Sequence, residues 1–400
     1  MKIFQINAVY GFGSTGVIVK DINDLIQEHS WDSYIGCVYF SKTIKNVYKI
    51  GNDLDYKKHA LLSRLTGKQG FFSKHSTKKL IEHLEKIKPD IIHLHNLHSN
   101  YINIEILLNY INYNNIPLVL TLHDCWFFTG KCYHYLKYNC YKWKTKCNHC
   151  PAKTEELPNY LLDHSKWVYQ KKSKLFKNIK NMTIVGVSDW ISNEAKQSFF
   201  FDKNFTTIYN GIDTTIFYPQ KNDFRLKYKL KNKFLILIMA NKWFDCNNKN
   251  YIKDIEEILK DDEMIILVGC SSKQINMVKK SNKILSIGFL YDKNELCKIY
   301  SAVDVFLNIT LVDSLPTVIM ESICCGTPVI SHDVAGCTEL IDTDTGIVFE
   351  KQNVKELRKS LSTIRNKQYN NCAARGKNKF NKKNCYEDYI KVYESLVKYK

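Results

Sequence analysis

The feature that most restricts this chain is the repeated alternation of short apolar runs with stretches of helical periodicity. Residues 3–9 form an apolar run of strand length and 11–16 a glycine-rich turn, and Val17, Ile18, Ile22, Leu25 and Ile26 recur at helical spacing over 17–28. Further strand-length runs lie at 34–40, 91–94, 118–122 and 183–187, with a helical stretch at 78–87. Apolar runs separated by helices predict a parallel sheet with crossover connections, because strands covered on both faces need not alternate in polarity. A second set begins after residue 205, at 206–209, 234–239, 264–268, 284–287, 305–308 and 328–331. Between the sets, Asn210-Gly211-Ile212-Asp213, Pro219 and the charged stretch 221–233 mark a domain boundary, and the chain ends in a helix over 386–400. The fold class read from this pattern is α/β, with two Rossmann-like domains, 1–204 and 205–385, facing a cleft.

Composition excludes several classes. With 44% hydrophobic and 13% aromatic residues the chain can bury large cores, which rules out disorder, and 16 Gly with 7 Pro rule out a collagen-like chain. No apolar run approaches the roughly 18–20 residues that a membrane-spanning helix needs. Residues 1–8 lack a long apolar segment and a small-residue cleavage site, so a cytoplasmic location is expected. In that compartment the 14 cysteines are expected to be reduced thiols or metal ligands. The formal charge of +18 raises a basic nucleic-acid-binding protein as an alternative. No recognised binding module accompanies it, and the basic residues do not interleave with aromatics along one groove, so no nucleic-acid partner is expected.

Gly11-Phe12-Gly13-Ser14-Thr15-Gly16 reads G-x-G-x-x-G after a strand and before a helix, a turn through which backbone N–H groups approach a phosphate. A dinucleotide site would also carry an acidic residue at the end of the next strand. Val38-Tyr39-Phe40-Ser41-Lys42 has none, which removes the dehydrogenase reading. Gly13, Ser14, Thr15 and Gly16 then form either a place of close ligand approach or a plain βα turn. In Asp313-Ser314-Leu315-Pro316-Thr317-Val318-Ile319-Met320-Glu321, Pro316 suits the first helical position and predicts a helix running to about Cys325. Asp313 or Ser314 suits its cap. Glu321 interrupts an otherwise apolar helix, and a buried carboxylate needs donors such as ribose hydroxyls.

This segment, continued by Gly326-Thr327-Pro328-Val329-Ile330 and preceded by Asn210-Gly211-Ile212-Asp213 and Phe217-Tyr218-Pro219, resembles the retaining glycosyltransferases of family 4, which have the GT-B fold. Pro89-Asp90-Ile91-Ile92-His93-Leu94-His95, Thr121-Leu122-His123-Asp124, Val187-Ser188 and Ala335-Gly336 extend the likeness over nearly the whole chain. The resemblance implies transfer of a sugar from a nucleotide diphosphate donor to a hydroxyl acceptor with retained configuration, and needs no metal for the chemistry. It places Glu321 on the donor ribose, Asp313 on the sugar hydroxyls, and the amides of Ser314, Leu315, Pro316, Thr317 and Val318 along sugar and diphosphate. Asp313 stands where the family usually has Glu. Lys249 matches the family's diphosphate-binding lysine, although Asn250 replaces the usual glycine; Lys242 stands for the arginine commonly found a few residues earlier. His123 would lie beside the reacting sugar, and Gly13 to Gly16 would let backbone approach it. The implied acceptor is a lipid-linked or growing surface glycan, with 210–219 near the hinge and 386–400 crossing back to the first domain. A noncatalytic nucleotide-sugar-binding module would keep Glu321 and Lys249 yet lack turnover.

Three further features bear on function. Cys132, Cys140, Cys147 and Cys150 cluster in an insertion at about 125–151 and close with Cys-x-x-Cys, so a structural zinc ion and packed reduced thiols are both open. His93, His95 and His98 alternate along a strand and share one face, which favours packing or acceptor contact over metal. Residues 57–88 interleave Lys57, Lys58, Arg64 and Lys68 with Leu61, Leu62, Leu65, Phe71 and Phe72. That composition suits either peripheral attachment to the anionic inner face of the cytoplasmic membrane or a helix pair buried on its own domain.

Overall fold

The computed structural model describes residues 1–40, 45–152, 154–246 and 248–397. Ser41 and Lys42 of the second-strand region, Asn247, and the last three residues of the terminal helix therefore lie outside the described residues. The chain forms two compact units, Met1–Asn210 with Tyr386–Lys400, and Gly211–Cys385.

The first unit holds β1 (Lys2–Ile6), β2 (Asp32–Cys37), β3 (Val47–Lys49), β4 (Ile91–Leu94), β5 (Leu118–Leu122), β6 (Met182–Gly186) and β7 (Asn204–Thr207). All pair in parallel in the order β3-β2-β1-β4-β5-β6-β7. Its helices are α1 (Gly13–Glu28), α2 (Asp53–Thr66), α3 (Lys74–Ile87), α4 (Ile104–Tyr113), α5 (Ser165–Lys177) and α6 (Asp189–Lys196). Strands β4 and β5 are buried along their whole length, which is why their sequences run apolar without alternation.

The second unit repeats the plan with β8 (Phe234–Met239), β9 (Glu263–Cys270), β10 (Ile284–Gly288), β11 (Val305–Asn308), β12 (Val329–His332) and β13 (Gly346–Phe349). These pair in parallel in the order β10-β9-β8-β11-β12-β13. The helices are α7 (Phe224–Lys227), α8 (Ala240–Phe244), α9 (Lys249–Glu257), α10 (Ser272–Val278), α11 (Lys293–Ala302), α12 (Thr317–Cys324), α13 (Val354–Asn366), α14 (Cys372–Phe380) and the start of α15 (Lys382–Val397). Ile236, Ile238, Ile265, Leu267, Leu307 and Ile330 of the sheet are buried with Tyr251 and Ile255 of α9 and Leu357 and Leu361 of α13. Each fully buried Leu or Ile of this kind contributes about 1.5–3 kcal/mol.

In both sheets the strand order reverses once, between β1 and β4 and between β8 and β11, and loops at such a point leave the carboxyl edge on either side of an open crevice. Where the chain leaves the second unit, its segments are laced together. Ile212 N donates to Phe380 O at 2.6 Å, Lys382 N to Ile212 O at 3.0 Å, and Lys382 pairs with Asp213 at 2.8 Å. Gly211 is required there, since a Cβ would fall 2.2 Å from Lys382 Cα.

Four sequence expectations shift. The strand expected to open the second set instead closes the first sheet, with Thr183 opposite Asn204 and Val185 opposite Thr206. It is too close in the chain to β6 and α6 to do anything but extend their sheet edge. The helix expected from Val17 starts at Gly13, so Gly13 to Gly16 form its first turn rather than a preceding loop. Pro316 is the N-cap of α12 with ψ 116°, one position before the helix proper. In the 57–88 region, Phe71 is buried while Leu61, Leu62 and Leu65 are exposed, so the apolar positions divide between core and surface.

Candidate active site

Lys242 and Asp313 follow adjacent strands, β8 and β11, on the two sides of the strand-order reversal, and their side chains meet with Nζ 3.9 Å from Oδ2. Asp313 Oδ1 also accepts from Leu315 N at 3.2 Å, closing the turn that leads into α12. Neither Asp313 nor Ser314 caps the helix: its first amides have no side-chain partner, and Ser314 Oγ is buried without a hydrogen bond. The helix stops after two turns because Gly326 takes φ +84°, a left-handed conformation that suits glycine just beyond a helix. An uncapped helix start beside a lysine is a positive field able to hold an anionic group.

Glu321 lies one turn along α12 among the buried Ile319, Met320, Ser322 and Ile323. Its described partner is the Tyr300 hydroxyl, which donates to Oε2 at 3.2 Å. Burial pushes its carboxyl up to about 7, against the opposing pull of that hydrogen bond and of Lys293. A carboxylate with one neutral donor is under-satisfied, and a ligand bringing hydroxyl donors would complete it. Lys249 is exposed as the first residue of α9, started by Asn248 capping Tyr251 N at 3.1 Å, and makes no ion pair among the described residues. The structure thus brings Lys242 to Asp313, and leaves Lys249 and Glu321 outside that contact.

His332, which the motif reading passed over, ties three of these segments together. Its Nδ1 bonds Thr310 O at 3.1 Å, and its Nε2 faces the Tyr251 hydroxyl at 2.8 Å and Gln352 N at 3.2 Å. Because a carbonyl can only accept, Nδ1 carries the proton and Nε2 accepts. Burial lowers this ring to about 4, the Thr310 carbonyl opposing, so it is neutral near pH 7. Strand alternation could have flagged it as an inward polar residue at the end of β12.

In the first unit the helix start at Gly13 is open. Gly13 has φ +65° with nothing within 4 Å of a notional Cβ, whereas Gly16 is pressed on Val9, with Cβ 3.0 Å from Val9 Cγ2. Ser14 is exposed, and Thr15 Oγ1 accepts from Asn7 Nδ2 at 3.4 Å. His123, just past β5, joins a chain of side chains: Gln5 Oε1 to His95 Nε2 at 3.2 Å, and His95 Nδ1 to His123 Nε2 at 3.0 Å. Gln5 Nε2 is spent on Val19 O, so Gln5 Oε1 accepts from His95 Nε2–H. His95 Nδ1 then accepts from His123 Nε2–H, which leaves His123 Nδ1 with its lone pair free for a hydroxyl. Burial lowers His123 to about 4, with Asp124 raising it and His98 lowering it, so the ring is neutral near pH 7. His93 and His95 do share a face, with ring centroids 4.0 Å apart, and His93 is closed off by the Tyr393 hydroxyl at 2.7 Å and by Thr121.

Residues 53–216 match the profile of Glycosyltransferase Family 4, and residues 236–366 that of Glycosyl transferases group 1. The chain belongs to glycosyltransferase family 4. An uncharacterized glycosyltransferase of Methanocaldococcus jannaschii is 24% identical over 230 residues, 54% of this chain and 58% of that protein. The putative colanic acid biosynthesis glycosyl transferase WcaC of Escherichia coli is 23% identical over 278 residues, 67% of this chain and 66% of WcaC. The matches thus span less than two thirds of each relative. The fold is GT-B: the structure of Anabaena HepE in complex with UDP superposes with a TM-score of 0.68 at 15% identity, covering 99% of this chain and 100% of that one.

The family 4 chain carries its cysteine-rich insertion on an aromatic base. The Lys172 ammonium of α5 is buried, bonded to Trp126 O at 2.6 Å and Thr129 O at 3.2 Å, and sits 3.4 Å from the Trp126 ring centroid. Cys132, Cys140, Cys147 and Cys150 all line one cavity of about 20 Å³, and Gly130 N donates to Cys147 Sγ at 3.1 Å. Among the described residues no group of three His, Cys, Asp or Glu side chains is placed to hold one metal ion. Cys132, Cys140, Cys147 and Cys150 are reduced thiols, in no disulfide.

Proposed function

We propose that this family 4 chain is a retaining glycosyltransferase that moves a sugar from a nucleotide diphosphate donor to a hydroxyl of a lipid-linked or growing surface glycan. The observation that carries the reading is the carboxyl edge of the second sheet, where Lys242 and Asp313 from adjacent βα loops meet beside the uncapped start of α12 and the under-satisfied Glu321. Glu321 would take the ribose hydroxyls and Asp313 the sugar hydroxyls. The amides of Ser314, Leu315, Thr317 and Val318, with Lys242 and Lys249, would hold the diphosphate. In the reaction the bond from the anomeric carbon to the diphosphate breaks, a bond to the acceptor oxygen forms on the same face, and the acceptor's proton passes to the departing phosphate. The protein's work is then to stabilise charge on the leaving group and to orient the sugar, with His123 Nδ1 a hydroxyl acceptor at the reacting end and Gly13 to Gly16 giving close backbone approach.

Attachment to an anionic membrane surface belongs to the same reading. Along α2 the exposed Leu54, Leu61, Leu62 and Leu65 alternate with exposed Lys57, Lys58 and Arg64, and the equally exposed Leu161 and Leu162 run beside them. Among the described residues no helix is long and apolar enough to cross a membrane.

The test is a melting-shift screen against UDP-, GDP-, ADP- and dTDP-sugars, with Glu321→Ala and Lys249→Ala in parallel. Ligand at about 100 times its Kd stabilises by about 2.7 kcal/mol, a readily visible shift. One nucleotide class should shift the wild type and neither variant. If no donor shifts the wild type, or both variants respond like it, the donor-site assignment is wrong.

A further inference from the structure

Gln5 is out of place for a core strand. It is fully buried in β1 between Phe4 and Ile6, and in the sheet register it stands beside His93 of β4. His93 and His95 are fully buried too, where aliphatic side chains would pack without any polar group to satisfy. A buried amide left without partners costs about 1–3 kcal/mol, so the reason for Gln5 lies in the bonds it makes.

Those bonds run in series from α1 to His123. Gln5 Nε2 donates to Val19 O at 3.4 Å, Gln5 Oε1 faces His95 Nε2 at 3.2 Å, and His95 Nδ1 faces His123 Nε2 at 3.0 Å. A series of this kind has two polarities. In one, both rings donate toward Gln5 and the outer nitrogen, His123 Nδ1, is a bare acceptor; in the other, both donate away from Gln5 and His123 Nδ1 carries the proton. The rings themselves do not choose, since a neutral imidazole has one donor and one acceptor either way round. Gln5 does: turning its amide over would set Oε1 against the Val19 carbonyl, acceptor against acceptor. Protonation offers no way out, because burial, with His93 and His123 adding to it, holds His95 well below the ordinary histidine value. The His95 ring is also held in line, its centroid 4.0 Å from that of His93 and 5.3 Å from that of His123, and His93 is itself fixed through both nitrogens by Tyr393 and Thr121.

We propose that Gln5 and His95 are positioning residues that fix His123 as its Nε2–H tautomer, so that Nδ1 meets an incoming hydroxyl as an acceptor. His123 is half-buried and its Nδ1 is not among the buried unpartnered atoms, so this is the nitrogen open to a ligand. A hydroxyl there gives its proton to the hydrogen bond, whereas a carbonyl or ether oxygen would face lone pair with lone pair, so the same device selects for hydroxyls. Val19 belongs to α1, the helix whose first turn is Gly13 to Gly16, so one helix anchors both features of the first unit assigned to the reacting end. That the hydroxyl belongs to the transfer reaction rests on the glycosyltransferase reading above; the tautomer of His123 does not.

The experiment is long-range proton–nitrogen correlation NMR near neutral pH on the full chain carrying isotope-labelled histidine, in which bare and protonated ring nitrogens give well-separated signals. His123→Gln identifies the His123 signals by their loss. Wild-type His123 should show a bare Nδ1 and a protonated Nε2. Gln5→Leu removes the amide and His95→Phe the intervening ring, and in each the His123 signals should move to those of a mixture of tautomers. Far-UV circular dichroism and a cooperative melt report that each variant is folded. Gln5→Leu should also lower kcat for sugar transfer by about tenfold while nucleoside diphosphate affinity stays unchanged. A protonated Nδ1 in wild type, or a His123 tautomer unmoved in both folded variants, overturns the proposal. If the tautomer shifts as expected while transfer is untouched, or if no nucleotide sugar binds wild type, the positioning chain stands and the reading of His123 as part of a transferase site fails.

Discussion

The two edges of the second sheet treat their charges differently. At the amino edge Glu263, Asp304 and Asp262 each have an arginine partner. Glu263, at the start of β9, is fully buried and receives two bonds from Arg358, at 2.6 and 2.8 Å. Asp304, before β11, pairs with Arg225 at 2.7 Å and accepts Leu235 N at 2.7 Å. Asp262 is bound by Arg365. At the carboxyl edge, among the described residues, Asp313 has the Leu315 amide and a lysine at 3.9 Å, Glu321 has a tyrosine, and Ser314 Oγ has no partner. The result is opposite pKa behaviour. Burial raises Glu263, but the Arg358 bonds, the Lys260 amide and the guanidinium charge outweigh it and hold it below the usual carboxylate value, whereas burial wins at Glu321. One edge is closed on itself and serves stability; the other is left incomplete, as a ligand site must be.

The largest effect should come from breaking the closed edge. Arg358→Ala leaves the buried Glu263 carboxylate with only the Lys260 amide at 2.9 Å and Arg365 at 3.8 Å, and losing the main partner of such a pair costs about 3–5 kcal/mol. Urea unfolding measures this, and the cost should shrink as pH falls through the lowered Glu263 value, because a depressed carboxylate contributes only while ionised. A cost below about 1 kcal/mol at pH 7 would make this edge no different from the other.

Glu321→Gln tests the incomplete edge and should act in the opposite direction. A carboxyl raised from 4.5 to about 7 disfavours the fold by about 3 kcal/mol once both states are ionised. That penalty is absent below 4.5, grows as pH rises from there to about 7, and is fully present above it. The variant should therefore match wild type at pH 4 and be the more stable at pH 8, while losing the nucleotide-sugar melting shift. Wild-type affinity for the donor should also fall below pH 7, approaching tenfold per unit, since the ionised form is the one that accepts ribose hydroxyls. A variant no more stable than wild type at pH 8 would mean that Glu321 is already satisfied.

Much of this contrast was legible in the residues, and the part that was not has physical reasons. Periodicity located β4, β5, β8 and β11 because buried parallel strands run largely apolar, broken only by His93, Thr121 and Asn308. It assigned β7 to the wrong sheet, because pairing partners of an edge strand are a long-range property that a half-buried run such as Asn204–Thr207 does not encode. β13 escaped notice because Gly346–Phe349 is four residues long and begins with a glycine. Asp313, Glu321 and Lys242 were found because each departs from local expectation, by charge in an apolar helix or by place in a motif. His332 and Tyr300 were not: each is an ordinary residue in a core segment, and its role appears only when residues about 20 or more apart meet, as His332 meets Tyr251 and Tyr300 meets Glu321.

The smallest effect on stability, and the sharpest on function, is expected at Lys242. Its contact with Asp313 is long, and each side chain is 31% exposed, a geometry in which ion pairs contribute about 0–1 kcal/mol. Lys242→Ala should therefore leave ligand-free unfolding within about 1 kcal/mol of wild type. It should nonetheless weaken the nucleoside diphosphate by tenfold or more, because the lysine beside the α12 start is needed when two phosphate charges arrive. Lys242→Arg separates charge from geometry: a guanidinium offers a planar fork where the ammonium offers a point, so affinity should be kept or raised. If instead Lys242→Ala costs as much stability as Arg358→Ala and leaves diphosphate affinity intact, the lysine serves the scaffold, and the two edges of the sheet are built to one purpose.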